Sequence, residues 1–458
     1  MMKFHLKTLG CKVNQVESAY IIEKLTEEGF IFSSEEEAEI LILNSCIVTS
    51  KAEAETRKII KRWLKLNPQI IVLTGCYAQK FSDKIFNFFN DFFKNSINKK
   101  FLTLGQKEKF RIVEILRDSL NKESKEISSP LILVEDISQE KTCYPIIINK
   151  FFAHSRAFIK VQDGCDNFCS YCIVPYVRGQ PRSVPLEYIL KQIEIFVKNG
   201  YREIVLTGIN LSKWGKDFNP PKKLTHLLTK IEEFLSSFNK EFILRLSSIE
   251  VNEIDEDFFD YVKNSKFIAP HFHFPLQSGS NKILKLMNRK YLREEYLEVL
   301  ERLYKLFPHA TFGADVIVGF PGEDEKDFRD TYELIEKSSL NWLHIFPFSL
   351  RPGTFVEKLN FKISKQEIEN RKKMLKRLIE KKREKFLEKE LGEERRAVIE
   401  YFDKNKNMWK ALSENYITTY IDLNKINKEN GNWQGKIIKI RFFKKEKNYL
   451  IGDFLKLL

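Results

Sequence analysis

Apolar and polar positions over residues 1–145 switch between two periods. Phe4–Gly10 reads as a short apolar strand. Gln15–Glu28 puts Ile21, Ile22 and Leu25 on one helical face and stops at Gly29. Glu39–Ser45 and Gln69–Gly75 are continuous apolar runs of strand length. Between them, the stretch from Ser50 to Leu66 has helical spacing, with Thr49 or Ser50 as its cap and Pro68 beyond its end. This βαβα order predicts a parallel sheet covered by helices.

The alternation continues from about 151 to 385. Helices are expected at Leu186–Asn199, Leu224–Phe238, Glu253–Asn264, Asn281–Met287, Arg293–Phe307 and Glu325–Ser338. Strands are expected at Glu203–Thr207, Phe242–Ser247, Ala269–Pro275, Thr311–Gly319 and Trp342–Phe348. Repeated βα units predict a partial or full parallel barrel, whose chemistry gathers at the strand C-termini. A long basic helix, Ser364–Leu391, follows. The chain then changes to short strands at Ala397–Phe402, Trp409–Leu412, Ile417–Asp422, Gly435–Phe443 and Tyr449–Leu455, separated by Asn and Gly turns. A small all-β barrel or sandwich is expected there. The fold class is therefore α/β with a terminal all-β module, in three parts: 1–145, 151–385 and 390–458.

Composition narrows the class. With 458 residues, 43% hydrophobic and 31% charged, the chain is long enough for several globular domains. No apolar run reaches the roughly 20 residues that span a bilayer. The start, Met1-Met2-Lys3-Phe4-His5, predicts no secretory leader. A reducing cytoplasmic compartment is expected, where cysteines serve as ligands rather than bridges. The net charge of +14 suits a polyanion such as RNA, although a Lys-, Asn- and Ile-rich composition could produce the same balance. Lys372, Lys373, Lys376, Arg377, Lys381, Lys382 and Arg383 on the long helix, and Lys436, Lys439, Arg441, Lys444 and Lys445 beside Phe442 and Phe443, are the expected phosphate and base contacts.

Cysteine placement carries the chemistry. Cys165, Cys169 and Cys172 form a C-x3-C-x2-C run, too compact for three separate disulfides. A closed zinc site would need a fourth ligand from elsewhere. Three local thiolates suit a [4Fe–4S] cluster with one iron left open to chelate a small molecule. Cys11, Cys46 and Cys76 each follow a predicted strand. In a parallel sheet those ends share one edge, so three thiols about 30 residues apart should converge and suit a second cluster. Cys143 fits neither set.

The run with Tyr171 before its last cysteine resembles the radical S-adenosylmethionine (SAM) enzymes. Beyond it, Thr8-Leu-Gly-Cys-Lys-Val-Asn-Gln15, Asn44-Ser-Cys-Ile-Val-Thr49, Leu73-Thr-Gly-Cys-Tyr-Ala-Gln79 and Gly164-Cys-Asp-Asn-Phe-Cys-Ser-Tyr-Cys-Ile-Val-Pro175 resemble the methylthiotransferase family. So do Arg178-Gly-Gln-Pro-Arg-Ser183, Arg245-Leu-Ser-Ser-Ile-Glu250, Pro275-Leu-Gln-Ser-Gly-Ser280, Met287-Asn-Arg-Lys-Tyr291 and Gly313-Ala-Asp-Val-Ile-Val-Gly-Phe-Pro-Gly-Glu323. The match runs in order through nearly the whole chain, and its end resembles the RNA-binding TRAM domain. Val251 stands where the family often has Pro, and Ser45 where Thr is common; neither is a ligand.

The resemblance implies two [4Fe–4S] clusters, a central radical-SAM barrel, and SAM as both radical source and methyl donor. The cluster on Cys165, Cys169 and Cys172 would cleave SAM, and the radical would take hydrogen from C2 of an adenine ring. The cluster on Cys11, Cys46 and Cys76 would carry the sulfur. Tyr171, Thr207, Gly208, Ser248, Glu250 and Ile317 match the positions of SAM contacts. The implied partners are a tRNA anticodon stem-loop, a low-potential electron donor and a sulfur source, with no membrane. The motifs look most like the branch acting on N6-threonylcarbamoyladenosine. Branches acting on isopentenyladenosine or on a ribosomal-protein side chain stay open, as does a non-catalytic iron–sulfur RNA-binding protein.

Overall fold

The computed structural model describes residues 2–88, 100–121, 131–151, 155–359, 363–423 and 433–458. The chain divides into two compact units. One comprises Met1–Asn149, Asp163–Arg182 and Ser349–Glu357; the other comprises Lys150–Gln162, Ser183–Phe348 and Lys358–Leu458. Cys165, Cys169 and Cys172, which the sequence places in the 151–385 part, thus pack with the first unit.

The first unit is built on a six-stranded sheet. Its strands are β1 (Lys3–Thr8), β2 (Ile31–Phe32), β3 (Ile40–Ser45), β4 (Ile70–Gly75), β5 (Lys100–Leu104) and β6 (Leu131–Leu133), in the order β2-β1-β3-β4-β5-β6. Every pairing is parallel. All six residues of β3 and of β4 are buried, as an unbroken apolar run should be when helices cover both faces. One core packs Trp63, Ile59 and Phe101 on one face; the other packs Phe4, Leu25 and Leu116 on the opposite face. Helix α1 spans Lys12–Glu27, three residues earlier than its apolar stripe suggests. The earlier start puts Cys11 at its N-cap. Helix α2 spans Ser50–Leu66. The Thr49 hydroxyl accepts from the Ala52 N–H at 3.2 Å, and Asn67 ends the helix in a left-handed turn before Pro68. Cys76 opens the short helix α3, Cys76–Phe81.

The second unit holds two three-stranded parallel sheets. One orders Ile243–Leu246, Glu203–Thr207 and Arg156–Lys160; the other orders His271–His273, Thr311–Val318 and Trp342–Pro347. A parallel bridge from Leu244 to Ile268 links them, so six strands with helices between them form a partial (β/α) barrel. Helix Lys365–Lys389 leads into a closed five-stranded barrel of Glu394–Asp403, Met408–Ser413, Thr418–Ile421, Leu450–Leu457 and Ile437–Lys445. Of the connections in which Asn and Gly turns are expected, the one between Thr418–Ile421 and Ile437–Lys445 lies largely outside the described residues. The small barrel is clamped within its unit. Arg245, fully buried, pairs with Glu203 at 2.6 Å and donates to the carbonyls of Glu414 and Ser413 at 3.0 and 3.3 Å. Among the described residues no helix is long and apolar enough to cross a membrane.

Part of the predicted basic surface turns inward. Lys382 donates to the carbonyls of Glu336 (2.9 Å) and Ser338 (2.6 Å), satisfying the C-terminal end of helix Glu325–Lys337. Arg383 donates to Thr311 Oγ1 and the Tyr416 carbonyl. Lys445 pairs with Glu384 and Glu388; Lys439 and Arg441 share Glu394. Phe442 is fully buried in the barrel core and cannot stack on a base, whereas Phe443 is 55% exposed. Of the expected helix contacts, Lys373, Lys376, Arg377 and Lys381 remain exposed; Lys373, Arg377 and Lys381 follow one another at one-turn spacing, and Lys376 lies 3.8 Å from Glu380.

Candidate metal centres

Parallel register brings the first three thiols to one edge. Thr8 lies beside Asn44, Asn44 beside Thr74, and Ser45 beside Gly75, so Cys46 and Cys76 leave adjacent strands at the same level. Cys11 follows β1 on the other side. Gly10 lets this edge close. It adopts φ +100°, and a Cβ there would lie 2.9 Å from Cys46 Cβ and 3.0 Å from its Sγ. Cys46 and Cys76 are buried while Cys11 reaches solvent, so the edge is open at one corner.

Electrostatics show the same proximity. Burial pushes the Cys46 thiol up to about 12, followed by the Cys76 and Cys11 thiols beside it. Cys11 is raised mainly by the protein packed around its sulfur, opposed chiefly by the Arg178 guanidinium. Gln106 donates to Cys76 Sγ at 3.3 Å.

Cys165, Cys169 and Cys172 sit on an irregular turn closed by two backbone bonds: Cys172 N–H to the Cys169 carbonyl (2.9 Å) and Cys165 N–H to the Gly179 carbonyl (3.0 Å). All three are partly exposed. Gly164, at φ +75°, precedes the turn; a Cβ there would fall 1.9 Å from the Gln180 carbonyl oxygen. The helix after the run, Val174–Arg178, buries Ile173 and Val177 in the first unit's core. Among the described residues no three His, Cys, Asp or Glu side chains close tightly enough for a single metal ion. A cubane asks for wider spacing, because each thiolate takes a different iron. Both thiol sets are chemically suited to such a cluster. Cys143 is buried.

The pattern of cysteines says nothing of Arg178, yet it is the most connected side chain here. It is 1% exposed and bonds Glu17 Oε1 (3.0 Å), Asp163 (3.0 and 3.1 Å) and Asn14 Oδ1 (2.5 Å). Glu17 also holds the buried Lys109 at 2.6 Å, and Lys109 donates to Gln106, which reaches Cys76. Asn14 accepts from Cys11 Sγ at 3.9 Å. A continuous buried polar chain therefore runs from Cys11 to Cys76. Arg178 and Asn14 each stand in a motif of the sequence, but nothing in the pattern shows that they meet.

The expected SAM-contacting residues divide between the units. Tyr171 lies in the first. Thr207 ends its strand, buried, with its carbonyl accepting from Val161 N–H at 2.9 Å. Gly208 follows; a Cβ there would lie 2.9 Å from Gln162 Oε1. Ser248 and Glu250 follow strand Ile243–Leu246. The Glu250 N–H donates to Ser212 Oγ at 3.1 Å, and its carboxylate pairs with Arg289. Ile317 lies near the end of Thr311–Val318, its N–H bonded to the Gln277 carbonyl at 2.9 Å. These five occupy C-terminal strand ends of the partial barrel.

A parallel thiol-edged sheet and a three-cysteine turn joined to a partial (β/α) barrel define an iron–sulfur enzyme of the radical SAM class. Residues 159–335 match the Radical SAM superfamily, and residues 3–93 match the uncharacterized protein family UPF0004. The chain is 36% identical to the threonylcarbamoyladenosine tRNA methylthiotransferase MtaB of Aquifex aeolicus, over 96% of this chain and 100% of that one. It is 32% identical to the protein of the same name from Bacillus subtilis, over 99% and 96%. The tRNA-2-methylthio-N(6)-dimethylallyladenosine synthase of Thermotoga petrophila is 34% identical over 88% and 87%. The solved radical S-adenosylmethionine methyltransferase TsrM of Kitasatospora setae shares the fold, with a TM-score of 0.54, 13% identity, and coverage of 78% of this chain and 74% of that one. The chain belongs to the methylthiotransferase family of radical SAM enzymes.

Proposed function

We infer that this chain is a tRNA methylthiotransferase that places a methylthio group on C2 of N6-threonylcarbamoyladenosine beside the anticodon. It uses SAM and two [4Fe–4S] clusters. The observation that carries the reading is the presence of two separate three-thiol sets in one compact unit, in a chain aligned end to end with relatives of that activity.

Cys165, Cys169 and Cys172 hold the cluster that chelates SAM, and Cys11, Cys46 and Cys76 hold the auxiliary cluster. When bound, the first supplies the electron that splits SAM and the second supplies sulfur. Three thiolates on a four-iron cluster would leave each cluster with one iron open to a small molecule. Tyr171, Thr207, Gly208, Ser248, Glu250 and Ile317 position SAM: Gly208 leaves room beside Gln162, and Glu250 is held in place by Arg289. The exposed cations of helix Lys365–Lys389 contact tRNA phosphates. The work is cytoplasmic and needs a low-potential electron donor and a sulfur source.

Mass spectrometry of tRNA nucleosides from cells with and without this chain tests the reading. Loss of 2-methylthio-N6-threonylcarbamoyladenosine is expected. Because one relative is named for dimethylallyladenosine, a second reading is that substrate; loss of its 2-methylthio form instead would select it.

A further inference from the structure

The sheet edge that carries Cys11, Cys46 and Cys76 presents a fourth side chain at the same level. Strand β5 lies parallel to β4, with Thr103 beside Leu73, so its C-terminal end shares the edge of the thiols. The residues there read Leu104-Gly105-Gln106, against Leu9-Gly10-Cys11 after β1 and Thr74-Gly75-Cys76 at the end of β4. Gln106 therefore stands where two other strands place a thiol. A neutral amide is a poor substitute for thiolate as an iron ligand, but it can donate a hydrogen bond to one.

The amide is oriented from both sides. Its nitrogen lies 3.3 Å from Cys76 Sγ, and its Oε1 accepts from Lys109 Nζ at 2.5 Å. An ammonium group only donates, so the amide oxygen must face Lys109 and the NH2 group must face the sulfur. Glu17 holds Lys109 at 2.6 Å, and all three side chains are buried. The backbone is pinned as well. Gln106 N–H donates to Gln79 Oε1 at 2.8 Å, the Gln79 amide donates to the Glu135 carbonyl at 2.8 Å, and Gly105 N–H donates to the Leu133 carbonyl at 2.9 Å. Gly105 admits no side chain, since a Cβ there would lie 2.8 Å from Gln79 Oε1.

We propose that Gln106 is a positioning residue of the auxiliary cluster: it donates an N–H···S hydrogen bond to the Cys76 thiolate and raises the reduction potential of the cluster held there. The inference rests on the two-cluster reading above. A donor aimed at sulfur stabilises negative charge on it. The reduced cluster carries one more electron than the oxidised one and gains more from the bond. Burial strengthens the effect, because little water competes for the sulfur. The low-potential donor that the proposed function requires can then pass one electron to the sheet-edge cluster more easily than the three thiolates alone would allow.

The full-length protein with Cys165, Cys169 and Cys172 replaced by Ala isolates that cluster. Electron paramagnetic resonance during a redox titration reads its potential, with and without Gln106→Leu or Gln106→Glu. Both changes remove the donor, and Gln106→Glu keeps a partner for Lys109. Gln106→Leu should lower the reduced-to-oxidised ratio at a fixed potential about tenfold, which is about 59 mV for a one-electron couple. Gln106→Glu should lower it at least as far, because its carboxylate adds negative charge. An unchanged midpoint in iron-loaded Gln106→Leu would overturn the inference, even where the added charge of Gln106→Glu moves it. A second measurement reads the bond with Gln106 in place. When the side-chain nitrogen of glutamine carries a heavy isotope, the reduced cluster should show a coupling to it in electron–nuclear spectra, and the coupling should vanish in Gln106→Glu. Absence of that coupling would also overturn the inference. If the triple cysteine variant binds no iron, the auxiliary-cluster reading and this inference fall together; iron bound with neither shift nor coupling removes only the role of Gln106.

Discussion

Arg178 and Glu17, 161 residues apart, form a buried ion pair at 3.0 Å that ties the segment following the Cys165–Cys172 turn to the helix following Cys11. Both are essentially inaccessible to water. A buried pair of this kind contributes little against an apolar substitute, but removing one partner strands a charge and costs about 3–5 kcal/mol.

Arg178→Ala should therefore destabilise the first unit by about that much, measurable as a lowered denaturant midpoint in the cluster-free protein. Arg178→Lys should cost less, because it keeps the charge while giving up the fork that reaches Asp163 and Asn14 together. Equal stability of wild type and Arg178→Ala would show that the pair is not structural.

The two thiol sets should load iron independently. Replacing Cys165, Cys169 and Cys172 by Ala should roughly halve bound iron and abolish SAM cleavage, each set holding one of the two clusters. Replacing Cys11, Cys46 and Cys76 should halve iron and leave SAM cleavage measurable. Cys143→Ala should change neither. Full iron content in either triple variant would refute the assignment.

Loading at the sheet edge should depend on pH. The Cys46 thiol is raised to about 12 and Cys11 is raised as well, so both are protonated without metal near neutral pH. Ligation releases those protons, and raising pH toward 12 should favour it. In the Cys165/Cys169/Cys172 triple variant, iron bound at limiting supply should rise with pH. A flat profile would mean the thiols ionise without the metal.

Much of the fold was readable in the sequence, and the reason differs by element. Glu203–Thr207 and Ser50–Leu66 have the bounds that their apolar periods and caps predict, because local pattern alone decides them. The convergence of Cys11, Cys46 and Cys76 followed from topology, since parallel strands put their C-termini on one edge. The Arg178 chain was not readable: its partners lie on several elements, and no local period marks a tertiary ion pair. Lys382 and Phe442 misled for the same reason. A lysine in a basic helix looks solvated until a neighbouring helix end supplies carbonyls, and a Phe in a basic strand looks open until the barrel closes over it.

RNA binding should follow the same division between exposed and inward-turned cations. Lys373→Ala, Arg377→Ala and Lys381→Ala should each weaken tRNA binding. Each should also flatten log affinity against log salt, by about 0.7–0.9 for every phosphate that is no longer neutralised. Lys382→Ala should instead lower stability by removing the donor to the end of helix Glu325–Lys337. An unchanged salt slope in the triple variant of Lys373, Arg377 and Lys381 would show that this ridge does not touch phosphate.

The most direct test of the proposed activity is a single reaction. Cluster-loaded protein is incubated with SAM, a low-potential reductant and tRNA bearing N6-threonylcarbamoyladenosine, and the nucleosides are read by mass spectrometry. One hydrogen on the adenine ring should be replaced by one methylthio group. That product should vanish when Cys11, Cys46 and Cys76 are replaced, although SAM is still cleaved. SAM cleavage with no methylthio product on any adenosine, or product formation without those three cysteines, would contradict the assignment.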